Sequence, residues 1–92
     1  MMYQINEKVI CEQIDNDVVA FDSAKECFYE FDEVAGFILC ELNEHEKDIR
    51  EIVQSVCNEY NVDEKTALMD IVAFVKEMEN KGLLISIGEN ND

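Results

Sequence analysis

The sequence contains no proline, only three glycines and a single histidine. With no proline and no Gly/Ser-rich stretch, nothing marks an internal boundary, so the 92 residues read as one domain. Three glycines are too few for the Gly-x-x-x-x-Gly-Lys-Ser/Thr or Gly-x-Gly-x-x-Gly loops that cradle phosphates, and neither pattern occurs. His45 stands in the acidic stretch Asn43-Glu44-His45-Glu46 and reads as a solvated loop residue rather than a base. The four cysteines, Cys11, Cys27, Cys40 and Cys57, are far apart and form no C-x-x-C pair. They read as small apolar residues kept reduced, and neither a metal nor another cofactor is expected. No apolar run approaches the length of a membrane span or a signal sequence, so the expected setting is cytoplasmic.

Positive charge is also scarce. Seven basic side chains face 22 acidic ones, for a formal net charge of −15. The cations are scattered, so no basic stripe is available to neutralise phosphates. Nucleic acid and anionic membrane surfaces are therefore disfavoured as partners. The charge serves solubility, or it favours a polypeptide that carries cations. Acidic pairs such as Glu41/Glu44 and Glu46/Asp48 lack apolar neighbours in sequence that would raise a pKa, so they read as solvated surface.

Enough remains to fold: 48% of the residues are apolar. The first third alternates as strands do. Val9–Ile14, Val18–Phe21 and Glu26–Phe31 are separated by the turn clusters Asp15-Asn16-Asp17 and Asp22-Ser23-Ala24-Lys25. In the third strand Cys27, Tyr29 and Phe31 share one face, and Glu26, Phe28 and Glu30 the other. Short connections predict an antiparallel meander. The remainder reads as three helices. Asp32 caps one over roughly 33–42, in which Gly36 marks a close approach. Asp48 and Glu51 form a capping box before a helix to about Tyr60. Asp63 caps a third that Gly82 ends. Leu83–Ile87 is expected as a short closing strand or an apolar strap. Order is expected over about 9–87, with the polar tail 88–92 frayed.

The third helix carries surplus apolar surface. Ala67, Leu68, Ile71, Phe74, Val75 and Met78 form an ordinary buried stripe. Met69, Val72 and Ala73 fall outside it. Either the closing segment or the meander covers them, or they meet a partner, including a second copy in a homodimer.

From about Glu12 to Ile85 the chain resembles the PqqD-like family, named for coenzyme PQQ synthesis protein D. The resemblance is carried by Phe28-Tyr29-Glu30-Phe31-Asp32, where the family usually has Leu-Asn at the last two positions. Asp48-Ile49-Arg50-Glu51-Ile52 and Val62-Asp63-Glu64 continue it. Asp70-Ile71-Val72-Ala73-Phe74-Val75 and Lys81-Gly82-Leu83-Leu84 complete it. The resemblance implies an α+β fold: an N-terminal three-stranded antiparallel β-meander followed by three α-helices, winged-helix-like. It also implies a non-catalytic RiPP recognition element. Such a module binds the leader of a ribosomally made precursor peptide by strand addition and hands it to a modifying enzyme, such as a radical-SAM protein or a lasso-type leader peptidase.

On that basis Glu26, Cys27, Phe28, Tyr29, Glu30 and Phe31 would supply the strand edge. The third helix would supply a groove wall from Asp70, Phe74 and Glu77 on one flank, or Met69 and Ala73 on the other. Asp70 has a second reading as a bridge to a backbone amide, and Phe74 as plain core. The alternative for the whole chain is a winged-helix transcription regulator or another adaptor. A reading helix needs Arg, Lys, Asn or Gln at base edges, whereas the third helix offers Asp63, Glu64, Asp70, Glu77 and Glu79 against Lys65, Lys76 and Lys81.

Overall fold

A computed structural model describes residues 1–88. Its elements run β1 (Met2–Ile5), β2 (Val9–Ile14), β3 (Asp17–Asp22), β4 (Cys27–Phe31), α1 (Glu33–Glu44), α2 (Ile49–Glu59), α3 (Glu64–Asn80) and β5 (Leu84–Ile87). The expected meander is present: β2, β3 and β4 form a three-stranded antiparallel sheet in that order. Its first turn is tight, because Ile14 pairs with Asp17 and Asp15 takes φ 57°, a conformation that aspartate tolerates better than most residues. Of the expected frayed tail, only Gly88 falls within the described residues.

All three helices begin where an aspartate stands. Asp32 accepts from the Ala35 N–H and Asp63 from the Thr66 N–H. Asp48 exchanges hydrogen bonds with Glu51 in a full capping box. α3 stops at Gly82, which takes φ +80°. There the Leu83 N–H donates to the Met78 carbonyl (2.9 Å) and the Gly82 N–H to the Glu79 carbonyl (3.0 Å), the two bonds of a Schellman motif. Gly36 is the close approach expected of it. A Cβ there would lie 2.6 Å from Val18 Cγ2, so α1 can sit on β3 only because that position has no side chain.

Two features depart from the sequence reading. The first is that order begins before Val9, with β1; the closing strand expected within Leu83–Ile87 is present as β5 and has β1 as its partner. β1 and β5 pair as a second, two-stranded antiparallel sheet with Met2 opposite Ile87. The Asn6 side chain donates to the Gly82 carbonyl and its N–H to the Leu83 carbonyl, so the N-terminal segment is fastened directly onto the end of α3. Leu83 and Leu84 are thereby drawn into the core beside Leu39, Ile52 and Val75. The second departure is Leu68, which the stripe places inside but which is 44% exposed. Ile49, Arg50 and Val53 of α2 share an open hollow with it rather than sealing it.

Candidate functional site: an open strand edge beside a helix

β3 pairs with β4 along its length, from Val18 opposite Phe31 to Asp22 opposite Cys27, and among the described residues no strand lies along the other edge of β4. An unpaired edge presents a row of backbone donors and acceptors to any extended chain that reaches it. The β3–β4 connection fixes where that row points. The Asp22 carboxylate, buried, accepts from the N–H groups of Ala24 and Lys25 (3.0 and 3.2 Å). Glu26 takes φ 56° and gives its N–H to the Asp22 carbonyl. Glu26 was expected in the strand, but the tight turn needs it, so β4 begins at Cys27. The Lys25 ammonium then donates to the Lys81 carbonyl (3.0 Å), pinning the start of β4 to the end of α3.

A groove along α3 is built from two hollows of about 360 Å³ each, which share Ala35 and Phe74: one lies between β4 and α3, the other among α1, α2 and α3. The first is lined by Tyr29, Glu30, Phe31, Asp32, Glu77, Met78 and Lys81. The second is more apolar, with Val34, Ile38, Val56, Val62, Ala67 and Ile71 around it and Thr66 and Asp70 on its rim. Phe74 divides them: its ring meets Phe31 edge-on at 6.4 Å, and Phe31 in turn neighbours Tyr29 at 6.5 Å. From Lys81 back to Thr66 the helix rises about 22 Å, room for some six or seven residues of extended chain.

The polar groups of the groove are unequal. Lys81 is engaged, with its ammonium 3.7 Å from Glu77 and 5.6 Å from the centre of the Tyr29 ring. The Tyr29 hydroxyl and the Cys27 thiol share a weak hydrogen bond (3.6 Å), and that contact, then burial, lifts the phenol above its usual titration range. Asp32 is occupied in capping α1. Among the described residues neither the Asp70 nor the Glu30 side chain takes part in a hydrogen bond or an ion pair, so the bridge from the Asp70 carboxylate to a backbone amide is not made.

The groove settles which flank of α3 faces β4. Asp70, Phe74 and Glu77 line it; Met69 and Ala73 do not, and lie exposed on the far side, with Met69 67% accessible. The surplus apolar margin of α3 is thus left uncovered, because Leu83–Ile87 turns toward β1 instead. A roomier hollow, about 710 Å³, lies on that far side among Ile49, Arg50, Val53, Asp63, Glu64, Lys65 and Leu68. It adjoins no unpaired strand edge, so it lacks the backbone groups that make the β4 groove suited to a peptide.

The sequence reading missed the α1 side of the groove, Val34, Ala35 and Ile38, together with Val62. Their apolar character was visible, but one helix face looks much like another until its neighbours are in place. It also missed a row on the solvent face of the sheet. Ile10 stands opposite Phe21, and Phe21 opposite Phe28, with 57%, 37% and 68% of their surfaces exposed. The next rung sets Glu12, Val19 and Glu30 side by side. No group of three or more His, Cys, Asp or Glu among the described residues is placed to hold a metal ion. Burial, and then the nearness of Cys40, pushes the Cys11 thiol up to about 11, and burial likewise raises Cys40. No helix among the described residues is long and apolar enough to cross a membrane.

Comparison with known proteins places this geometry. None of the curated proteins matches the chain. Among solved structures, TbiB1 in complex with the TbiA(beta) leader peptide superposes with a TM-score of 0.84 at 31% identity, covering 94% of this chain and 99% of that one. Lasso peptide synthetase B1 complexed with the leader peptide superposes with a TM-score of 0.77 at 21% identity, covering 91% and 98%, a likeness of fold. The family model described as coenzyme PQQ synthesis protein D matches residues 17–84, from the start of β3 to the start of β5, and the chain belongs to that family.

Proposed function

We propose that this chain is a recognition module for the leader segment of a ribosomally made precursor peptide. It holds the leader as a fourth strand on β4 and presents the rest to a separate modifying enzyme. One observation carries the reading: among the described residues the outer edge of β4 is unpaired, and the hollow beside it, walled by α3, adjoins a second, apolar hollow at Ala35 and Phe74. A backbone edge gives affinity for any extended chain, and adjoining hollows give a choice of side chains. TbiB1, 31% identical, was solved with a leader peptide bound, which supports the same use here.

Cys27, Phe28, Tyr29, Glu30 and Phe31 offer the edge, and Asp70, Phe74 and Glu77 the helical wall. Glu26 contributes only at the margin, its N–H being spent on the turn. Met69 and Ala73 face away and play no part in holding the peptide. The module itself is non-catalytic in this reading and works in the cytoplasm; its partner is an enzyme such as a radical-SAM protein or a leader peptidase. The apolar row Ile10–Phe21–Phe28 suits that second contact, because it stays on the solvent face when β4 gains a strand. A homodimer through the same row would bring together two copies of formal charge −15, which opposes it.

Titration of the isotopically labelled chain with synthetic leaders of short peptides encoded near its gene tests the reading. Micromolar or tighter binding, with amide shifts along Cys27–Phe31 and Asp70–Lys81, is expected. Absence of binding, or shifts confined to the far side of α3, would overturn it.

A further inference from the structure

We propose that the groove selects leader segments that are both apolar and basic: one apolar side chain seated in the hollow between α1 and α3, and lysine or arginine set against Asp70 and Glu30. The inference rests on the leader-binding reading and adds to it the chemistry of the peptide that fits. The apolar requirement follows from the second hollow, where Val34, Ile38, Val56, Val62, Ala67, Ile71 and Phe74 leave a recess of about 360 Å³ with Asp70 and Thr66 as rim. Only a side chain in that recess can replace the water now against Val34 and Val62, which are 42% and 43% exposed.

The basic requirement follows from where the unused charges lie. The groove residues comprise four carboxylates, Glu30, Asp32, Asp70 and Glu77, and one cation, Lys81. Lys81 is paired with Glu77, and Asp32 is capping a helix. Glu30 and Asp70 remain without a partner among the described residues, one on each side of an added strand. Side chains of that strand alternate between the helix side, shared with Tyr29 and Phe31, and the solvent side, shared with Phe28 and Glu30. A cation directly across from Glu30 meets an opposite charge at cross-strand distance, and a carboxylate there meets repulsion. On the helix side Asp70 makes the same choice at the mouth of the apolar recess. A neutral apolar peptide would fit the hollow and leave both charges unanswered; an acidic one would be turned away.

Selection from a displayed library of random twelve-residue peptides, against the full chain immobilised at low salt, measures this without knowledge of the natural leader. Peptides pairing an apolar residue with lysine or arginine should be enriched. A parallel selection on Glu30→Lys/Asp70→Lys should instead enrich aspartate and glutamate. Both sites are exposed, and circular dichroism of the double variant confirms its fold. The strongest wild-type binder should lose at least tenfold in affinity on the double variant, and its binding should weaken as salt rises. Enrichment of apolar peptides without a basic bias, on a surface still mapped to β4 and α3, would overturn the charge selection and leave leader binding standing. Enriched peptides whose amide shifts map away from β4 and α3, or no enrichment at all, would overturn both.

Discussion

The molecule carries two small sheets with opposite fates. In the β1–β5 ribbon, β1 is paired on both sides: β5 lies along one edge, and on the other the Tyr3 N–H and carbonyl exchange hydrogen bonds with Lys47 (2.8 and 3.0 Å). Behind it Leu83 and Leu84 are almost wholly buried. In the β2–β3–β4 sheet, the β4 edge is open, its neighbours Tyr29, Phe31 and Phe74 are only half buried, and its outer face shows aromatic rings to solvent. The ribbon closes the fold, and the open edge leaves something to bind. Backbone groups left unpaired and apolar side chains left wet are costs a domain tolerates where another chain removes them.

That division can be tested by damaging each part separately. The largest effect on stability is expected in the ribbon: Leu84→Ala should cost about 2–5 kcal/mol, read from denaturant unfolding, as for other buried leucines. Leader affinity, measured where the variant is still folded, should hardly change. If affinity falls as far as stability, the two regions are not separable. Next comes the groove. Asp70→Lys with Phe74→Ala should weaken leader binding by about 2 kcal/mol or more, some thirtyfold, since Phe74 stands at the centre of the wall. Calorimetry on this variant and on Met69→Ala, which should bind normally, distinguishes the two flanks of α3.

Smaller still in the isolated protein is Ile10→Ser, in the same apolar row but on β2, away from the β4 edge. On the exposed sheet face it should leave stability within about 0.5 kcal/mol and leader affinity near normal, while slowing turnover by the partner enzyme in a reconstituted assay. Unchanged turnover would remove the apolar row from the partner contact. The smallest effect concerns Cys11. Its thiol keeps its proton in the folded state to about pH 11, whereas an unfolded thiol releases it near 9. The unfolded chain therefore binds fewer protons between those values, and stability should decline as pH rises through that window. Cys11→Ser should flatten this part of the profile.

Much of this was legible in the chain. Asp32, Asp48 and Asp63 announced three helix starts because a short carboxylate satisfies amide groups that a first turn leaves free. Alternation along Cys27–Phe31 gave its two faces, and Gly82 the end of α3. Other features were not legible. Met2–Ile5 has the composition of an ordinary leading segment, and its strand exists because β5, about eighty residues away along the chain, and Lys47 lie on either side of it. Leu68 fits a buried stripe by spacing but lies outside because α2 does not cover it.

The sequence by itself determined the local structure: helix caps, turns, strand faces and the strong acidic excess all follow from neighbours within a few residues. Only the tertiary structure decided that the outer edge of β4 has a helix alongside it and which flank of α3 looks onto it. It also decided that Ala35 and Phe74 join two hollows into one groove. Those are relations between distant segments, set by how the β3–β4 turn is tied through Lys25 to the end of α3, and no local pattern encodes them.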